Sequence, residues 1–235
     1  MNFSLIVPIA ADKPEYEHTM PYLFNFDETG VLLCVKSIMG LDLSKFDDIY
    51  FVLLEKHNRA YSLEELFRIQ FRRLGLEQAE VVILRLPTSC QAETVYQTVR
   101  QCGLQGSIFI KDADNYFESE VVRENSVSIC PLEALSMVNP QNKSYAAVDD
   151  KYYLTNIIEK KIISHYFNAG GTCFEKAGDF CRYYESLAGY GGHLYISHII
   201  YAMLLDRISF RPFVVEAFSD WGDIVSYKQH LNINR

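Results

Sequence analysis

Apolar residues fall along this chain in two alternating rhythms. Short hydrophobic runs cover residues 3–9, 48–54, 81–86 and 108–110, and each ends at polar positions. Runs of that length predict buried strands of a parallel sheet. Between them the period becomes helical. Val31, Leu32, Val35 and Ile38 predict a helix over 30–39. Leu63, Leu66, Phe67, Phe71 and Leu74 form one apolar face, closed by Gly75. Ser62 to Glu65 has the spacing of a capping box at its start. Ala92, Val95, Tyr96, Val99 and Cys102 make the next stripe, ended by Gly103. Residues 10–22 carry Pro14 and Pro21 among charges and read as a loop. Four rounds of strand and helix imply a mostly parallel α/β sheet with helices on both faces.

The second half changes character. Residues 127–130, 144–148 and 152–158 are strand-like, with a polar hinge over 139–143. Residues 167–174 contain Gly170-Gly171, which predicts a turn or bulge. Residues 180–187 and 195–205 read as helices, 213–217 as a strand and 224–231 as a final helix. No repeat or linker interrupts the pattern. One domain over 1–235 is therefore expected, with halves 1–118 and 119–235.

The net charge of −8 and pI near 5.3 speak against a nucleic-acid binder. No apolar stretch is long enough for a membrane span, and residues 1–4 lack the features of a signal peptide. A cytoplasmic protein is expected. The six cysteines and six histidines are scattered, without a metal-binding or disulfide spacing. His193 and His198 are five apart and do not share a helical face.

The candidate chemistry sits at the end of the fourth strand. Ile108 to Ile110 runs into Lys111, Asp112, Ala113, Asp114 and Asn115. Ligands of open α/β sheets bind beyond the carboxyl ends of the strands. Two carboxylates one residue apart repel, and a hard cation such as Mg²⁺, together with ligand phosphates, relieves that repulsion. An Asp-rich turn that caps the next segment is the alternative.

Separated segments then match one family in order. Leu5 to Ala11 stands where sugar-phosphate nucleotidylyltransferases have a first strand and glycine-rich loop. Pro87 to Val95 resembles their PTSGQA-T stretch, and the strand through Asp114 resembles the one ending in a metal aspartate. Ile158 to Ser164 is similar to the EK…S segment, Asn168 to Phe174 to the following glycine turn, and Ser219 to Asp223 to the late D-x-G-T motif. The resemblance spans nearly the whole length. It implies the Rossmann-like nucleotide-diphospho-sugar transferase fold and Mg²⁺-dependent transfer of a nucleoside monophosphate to a sugar phosphate, releasing pyrophosphate. The pathway class it suggests is activation of sugars for polysaccharide.

Roles follow from the same resemblance. Asp114 and Asp220 would hold the metal. Asp114 would serve catalysis. Apart from the resemblance, Lys13, as the cation of the first loop, would substitute for the family's missing cations, and Lys111 would either touch a phosphate or neutralise the carboxylates beside it. Ala10, Ala11, Thr88, Ser89, Gln91 and Asp112 would contact the nucleotide. Glu159, Lys160, Gly170 and Gly171 would contact the sugar phosphate. The implied partners are these small molecules, with room for a homo-oligomer.

The chain departs from the pattern in its first loop. The family carries a glycine-rich segment with an arginine, then a lysine in P-K-P-L. Here residues 10–16 hold no glycine or arginine, and Pro21 replaces the lysine. Lys13 is the one cation there, beside Asp12, Glu15 and Glu17. Cys90 stands where the family often has glycine. Loss of a catalytic cation removes several kcal/mol of transition-state stabilisation. Two further readings therefore stand beside the active enzyme. One is a binding protein on the same fold. The other is a glycosyltransferase with a D-x-D metal site, against which the EK…S and D-x-G motifs count.

Overall fold

The computed structural model describes residues 2–12, 19–135, 142–189 and 191–222. Lys13, most of the 139–143 hinge and the helix expected over 224–231 lie outside them.

Strand β1 (Phe3–Pro8) is the spine, flanked by β2 (Asp48–Leu54) and β4 (Ser107–Lys111), both parallel to it. β3 (Ala79–Leu84) extends the parallel set beyond β2. On the other side β9 (Tyr166–Phe174) runs antiparallel to β4 and to β6 (Ser126–Pro131), and β10 (Arg211–Val214) lies parallel to β6. The order along the main path is β10-β6-β9-β4-β1-β2-β3, and within that path β9 alone opposes the common direction. β7 (Ser144–Val148) and β8 (Leu154–Glu159) form an antiparallel pair, attached where Tyr145 meets Phe167. The expected mixed, mostly parallel sheet is present, and it takes strands from both sides of residue 118.

Alternation along each strand sends side chains to two layers. Leu5, Val7, Phe51 and Phe109 pack with Phe67 and Phe71 of α3 (Leu63–Leu74). Ile6, Val52, Ile108 and Ile110 pack with Val95 and Val99 of α4 (Gln91–Cys102), with α5 (Ala177–Ala188) and with α6 (Ile196–Leu205). A period of two in the strands and 3.6 in the helices gives a sheet covered on both faces. Phe67 is fully buried among Phe24, Phe51 and Phe71, with ring centroids 5.2–6.1 Å away.

Several local expectations are corrected. Ser62 does not begin a capping box. It ends α2 (Glu55–Tyr61) in the left-handed region, φ 52°, and makes no side-chain cap bond. Asn58 Oδ1 instead accepts from the Glu64 N–H at 2.8 Å. The helix expected over 30–39 is one α-helical turn, α1 (Leu33–Lys36), followed by a turn. The strand expected over 213–217 divides at Val215 into β10 and β11 (Glu216–Asp220). β11 pairs antiparallel with β5 (Asn115–Glu118), a strand the sequence pattern did not predict. Gly170-Gly171 lies inside β9 as a bulge. Val127 pairs with Thr172 but Ile129 with Asn168, which leaves extra residues on β9. Gly170 takes φ 86° there.

Candidate active site

The turn after β4 gathers the predicted residues. Asp112 to Asp114 connect β4 to β5, and β11 arrives beside them with Asp220 opposite Asn115. Trp221 fixes this approach. Its side chain is fully buried, its N–H donates to Asp114 O at 2.9 Å, and its indole N–H donates to Ala113 O at 3.4 Å. Residues far apart in sequence thus converge. Asp114 Oδ2 and Asp220 Oδ1 each lie 3.1 Å from the point where a Cβ on Gly222 would stand. Only glycine leaves that space open between the two carboxylates. Gly222 N–H also donates to Asp220 Oδ1 at 2.9 Å.

Lys111 is placed differently from the expectation. It is completely buried under the turn, on the face it shares with Phe109. Its ammonium donates to Asp112 O, Asn115 O and Asn115 Oδ1 at 2.6–2.9 Å and lies 4.6 Å from the Phe117 ring centroid. All three donors are engaged inside the protein. Lys111 therefore holds the turn and does not face a ligand phosphate. Burial lowers its pKa, against the pull of Asp112 and Asp114. Burial, then repulsion from Asp114, raises that of Asp112.

Gln91, in the first turn of α4, reaches Asp112 Oδ1 with its amide. Asp112 is also tied to β9, its N–H donating to Gly170 O at 2.8 Å. A Cβ on Gly170 would meet Asp112 Oδ2 at 2.5 Å and Asn115 Nδ2 at 2.6 Å. Gly170 makes room for site side chains as well as facing the cavity. Gly171 does not face it. Its Cβ would strike Phe117 and Phe109, so its smallness serves packing.

A cavity of about 340 Å³ opens over this floor. It takes in Gln91, Asp112, Asp114, Asp220, Glu159, Lys160 and Gly170 together. Glu159 Oε2 accepts from Ser197 Oγ at 2.7 Å, and Lys160 Nζ donates to Tyr195 Oη at 2.7 Å. That hydrogen bond holds the lysine above its ordinary pKa. Lys160 takes φ 58°, a left-handed conformation rare outside glycine.

A second cavity, about 390 Å³, adjoins the first through Gln91, Asp112, Asp114 and Tyr195. Its other walls are Pro8, Ile9, Ala11, Pro21, Tyr22, Leu23, Ala113 and His193. Ala11 lines it, whereas Ala10 is buried in the layer beneath. Thr88 and Ser89 line neither cavity and are bound locally. The Thr88 hydroxyl pairs with that of Thr94 at 2.6 Å, and Ser89 gives its N–H and hydroxyl to Glu93.

Sequence reasoning passed over Lys143, Asn168 and Tyr195. Lys143 Nζ lies 2.5 Å from Asp220 Oδ2, at the entry to β7. Tyr195 separates the two cavities and precedes α6.

No family model matches this chain, and no curated protein matches it by sequence. Solved structures do. The nucleoside-diphosphate-sugar pyrophosphorylase of Vibrio cholerae RC9 is 17% identical, with TM-score 0.78 over 98% of this chain and 99% of the other. A UDP-glucose pyrophosphorylase solved with UDP-glucose is 12% identical, with TM-score 0.74 over 100% and 98%. The CTP:phosphocholine cytidylyltransferase of Streptococcus pneumoniae is 12% identical, with TM-score 0.69 over the full length of both. The fold is that of the sugar-phosphate nucleotidylyltransferases. On this nucleotidylyltransferase fold the paired cavities lie at the carboxyl ends of β1 and β4, where such sheets bind ligands.

The described residues hold no group of three or more His, Cys, Asp or Glu suited to a metal. A cation here would rest on two carboxylates. That donor set suits Mg²⁺, which is commonly held by one or two carboxylates plus substrate phosphates and water. Among the described residues no helix is long and apolar enough to cross a membrane.

Proposed function

We propose that this protein transfers a nucleoside monophosphate from a nucleoside triphosphate to a sugar phosphate or similar phosphorylated alcohol, with Mg²⁺, releasing pyrophosphate. The convergence of Asp114 and Asp220 over Gly222, in one cavity with Gln91 and Glu159-Lys160, carries this reading. In the reaction an oxygen of the acceptor phosphate bonds to the α-phosphorus. The bond from that phosphorus to the bridging oxygen breaks, and pyrophosphate leaves with the electron pair. Such transfer is catalysed by holding two anions in line and neutralising their charge.

The chain's residues divide these tasks. Asp114 and Asp220 hold Mg²⁺, which supplies Lewis-acid neutralisation of the phosphates when bound. Gln91 keeps its carbonyl oxygen for a base edge while Asp112 fixes its amide. Glu159, with Ser197 beside it, accepts from acceptor hydroxyls. Asn142, Ser144, Asn168 and Thr172 extend the polar lining and suit a polyhydroxylated alcohol. Lys111 supports the turn from below.

One observation favours a second reading, a binding protein without turnover. The described walls of the nucleotide-side cavity carry no Lys or Arg. The test is a thermal-shift screen of nucleoside triphosphates and diphospho-sugars with and without Mg²⁺, followed by a pyrophosphate-release assay. Mg²⁺-dependent stabilisation by a triphosphate and pyrophosphate release with a sugar phosphate are expected. Stabilisation without release indicates the binding protein. Stabilisation by finished diphospho-sugars alone indicates a glycosyltransferase, and no response at all overturns the site.

A further inference from the structure

Lys143 stands at this site without a role drawn from any motif. Its ammonium reaches Asp220 Oδ2 and lies 5.9 and 5.6 Å from the ring centroids of Phe167 and Phe218. Those two rings meet edge to face at 5.2 Å, and Phe167 is fully buried. A cation within about 6 Å of aromatic faces is attracted to them. The side chain is 17% exposed and lines the cavity that holds Glu159 and Lys160. It does not line the nucleotide-side cavity. Lys143 is therefore an ordered cation, beside a proposed metal carboxylate, on the acceptor side.

Lys160, the other lysine of that cavity, is spread over the Tyr195 ring, with its ammonium 4.9 Å from the centroid and bonded to the hydroxyl. The two lysines thus occupy different parts of the cavity. One stands at the floor beside Asp220, the other at the rim beside Tyr195.

We propose that Lys143 binds the phosphate of the acceptor and draws it to the floor of the cleft between Asp220 and Asp114. This rests on reading the cleft as one that takes a phosphorylated alcohol. The ammonium neutralises an anion that the two carboxylates would otherwise repel. It is held in place before the ligand arrives, so little reorganisation is needed. In the unliganded protein Asp220 is its partner. When a phosphate enters, Lys143 shifts its donors to the phosphate oxygens, which would leave the Asp220 carboxylate free to hold Mg²⁺.

The test uses the full chain and inorganic phosphate, with glucose 1-phosphate and glucose as further probes, followed by ³¹P line broadening and titration calorimetry. Without Mg²⁺, wild type is expected to bind phosphate and glucose 1-phosphate weakly and glucose more weakly still. Lys143→Met is expected to lose at least tenfold in phosphate affinity, and Lys143→Arg to retain most of it. Lys160→Met should lose less than Lys143→Met. Asp220→Asn should bind phosphate a few-fold tighter, because it removes the competing carboxylate while leaving Lys143 in place. A merely structural lysine would not produce that gain. Unchanged phosphate affinity in Lys143→Met, or a larger loss in Lys160→Met, overturns the assignment. Added Mg²⁺ separates the two ideas. If it fails to tighten wild-type phosphate binding while Lys143→Met still abolishes that binding, the metal reading falls and Lys143 stands.

Discussion

The two cavities of the cleft share a wall but not a chemistry. The side proposed for the acceptor presents Lys143, Lys160, Glu159 and Asp220 around a polar lining. The proposed nucleotide side is walled by Pro8, Ile9, Ala11, Pro21 and Leu23, with Tyr22 and His193 as its own polar groups and the others along the shared wall. The proposed reaction joins two polyanions, so both sides would need positive charge. Here the described cations cluster on one side. The contrast locates the divergence of this chain. On the proposed function the acceptor half carries its own lysines, and the nucleotide half would need positive charge from a bound metal or from outside these walls; Lys13, the cation expected there, lies outside the described residues.

The sharpest way to break this comparison is to remove the element common to both sides. Asp114→Ala and Asp220→Ala should each cost at least a hundredfold in Mg²⁺-dependent nucleotide affinity, about 3 kcal/mol. Chelation of Mg²⁺ should match them in wild type. Calorimetric titration of a triphosphate, with circular dichroism to confirm the fold, decides the matter. Unchanged affinity in both variants removes the metal site. A smaller effect is expected at the wall itself. Gly170→Ala places a methyl against Asp112 and Asn115 at a φ of 86°. It should cost about 1–3 kcal/mol of stability, read by urea titration, and should weaken binding on both sides together. Adding charge to the poorer side sharpens the contrast. Ala11 is exposed and lines the nucleotide cavity. Ala11→Arg should tighten triphosphate binding about two- to fivefold, the range of an exposed ion pair, and leave glucose 1-phosphate binding unchanged.

How much of this was legible depends on the range of the interaction. The strands β1 to β4 and the helices α3 and α4 were visible because their apolar periods are strong and local. Helix α2 was not, since its one buried residue, His57, gives it no stripe. β5 is four residues long and exists through pairing with β11, a hundred residues later. The capping box failed because Ser62 also closes the preceding helix, and that backbone geometry overrode the local motif. The residues read as Asp112, Asp114, Gln91, Glu159, Lys160, Gly170 and Asp220 do meet in one cavity. Thr88, Ser89, Ala10, Lys111 and Gly171 do not line it. Lys111 had a signal that was missed. It shares a strand face with Phe109, and that face is core. Lys143 had none, because its contacts with Asp220, Phe167 and Phe218 are long-range and nothing local distinguishes it from the polar stretch around it.

The smallest expected effect tests whether the nucleotide side can be weakened from behind. Pro21 and Leu23 wall that cavity, and the segment after them is anchored by Asp27. The Asp27 carboxylate accepts from the N–H groups of Thr29 and Val31 at 2.9 Å, and pairs with Lys36 at 2.9 Å. Burial raises its pKa, but the Lys36 pair and these hydrogen bonds outweigh it and hold the group down at about 2. The folded pKa lies below the unfolded value near 3.8. The carboxylate therefore stabilises the fold above pH 4, and that contribution disappears as pH falls through 3.8 toward 2. Asp27→Asn should lose about 1.5–3 kcal/mol at neutral pH, the worth of a charged hydrogen bond. It should also flatten the acid limb of a thermal unfolding series run from pH 5 to pH 2. If triphosphate affinity at neutral pH falls modestly while phosphate affinity holds, the wall of the nucleotide side transmits the change. Equal losses on both sides would mean that the cleft responds as one unit, and that the contrast between its halves is chemical and not mechanical.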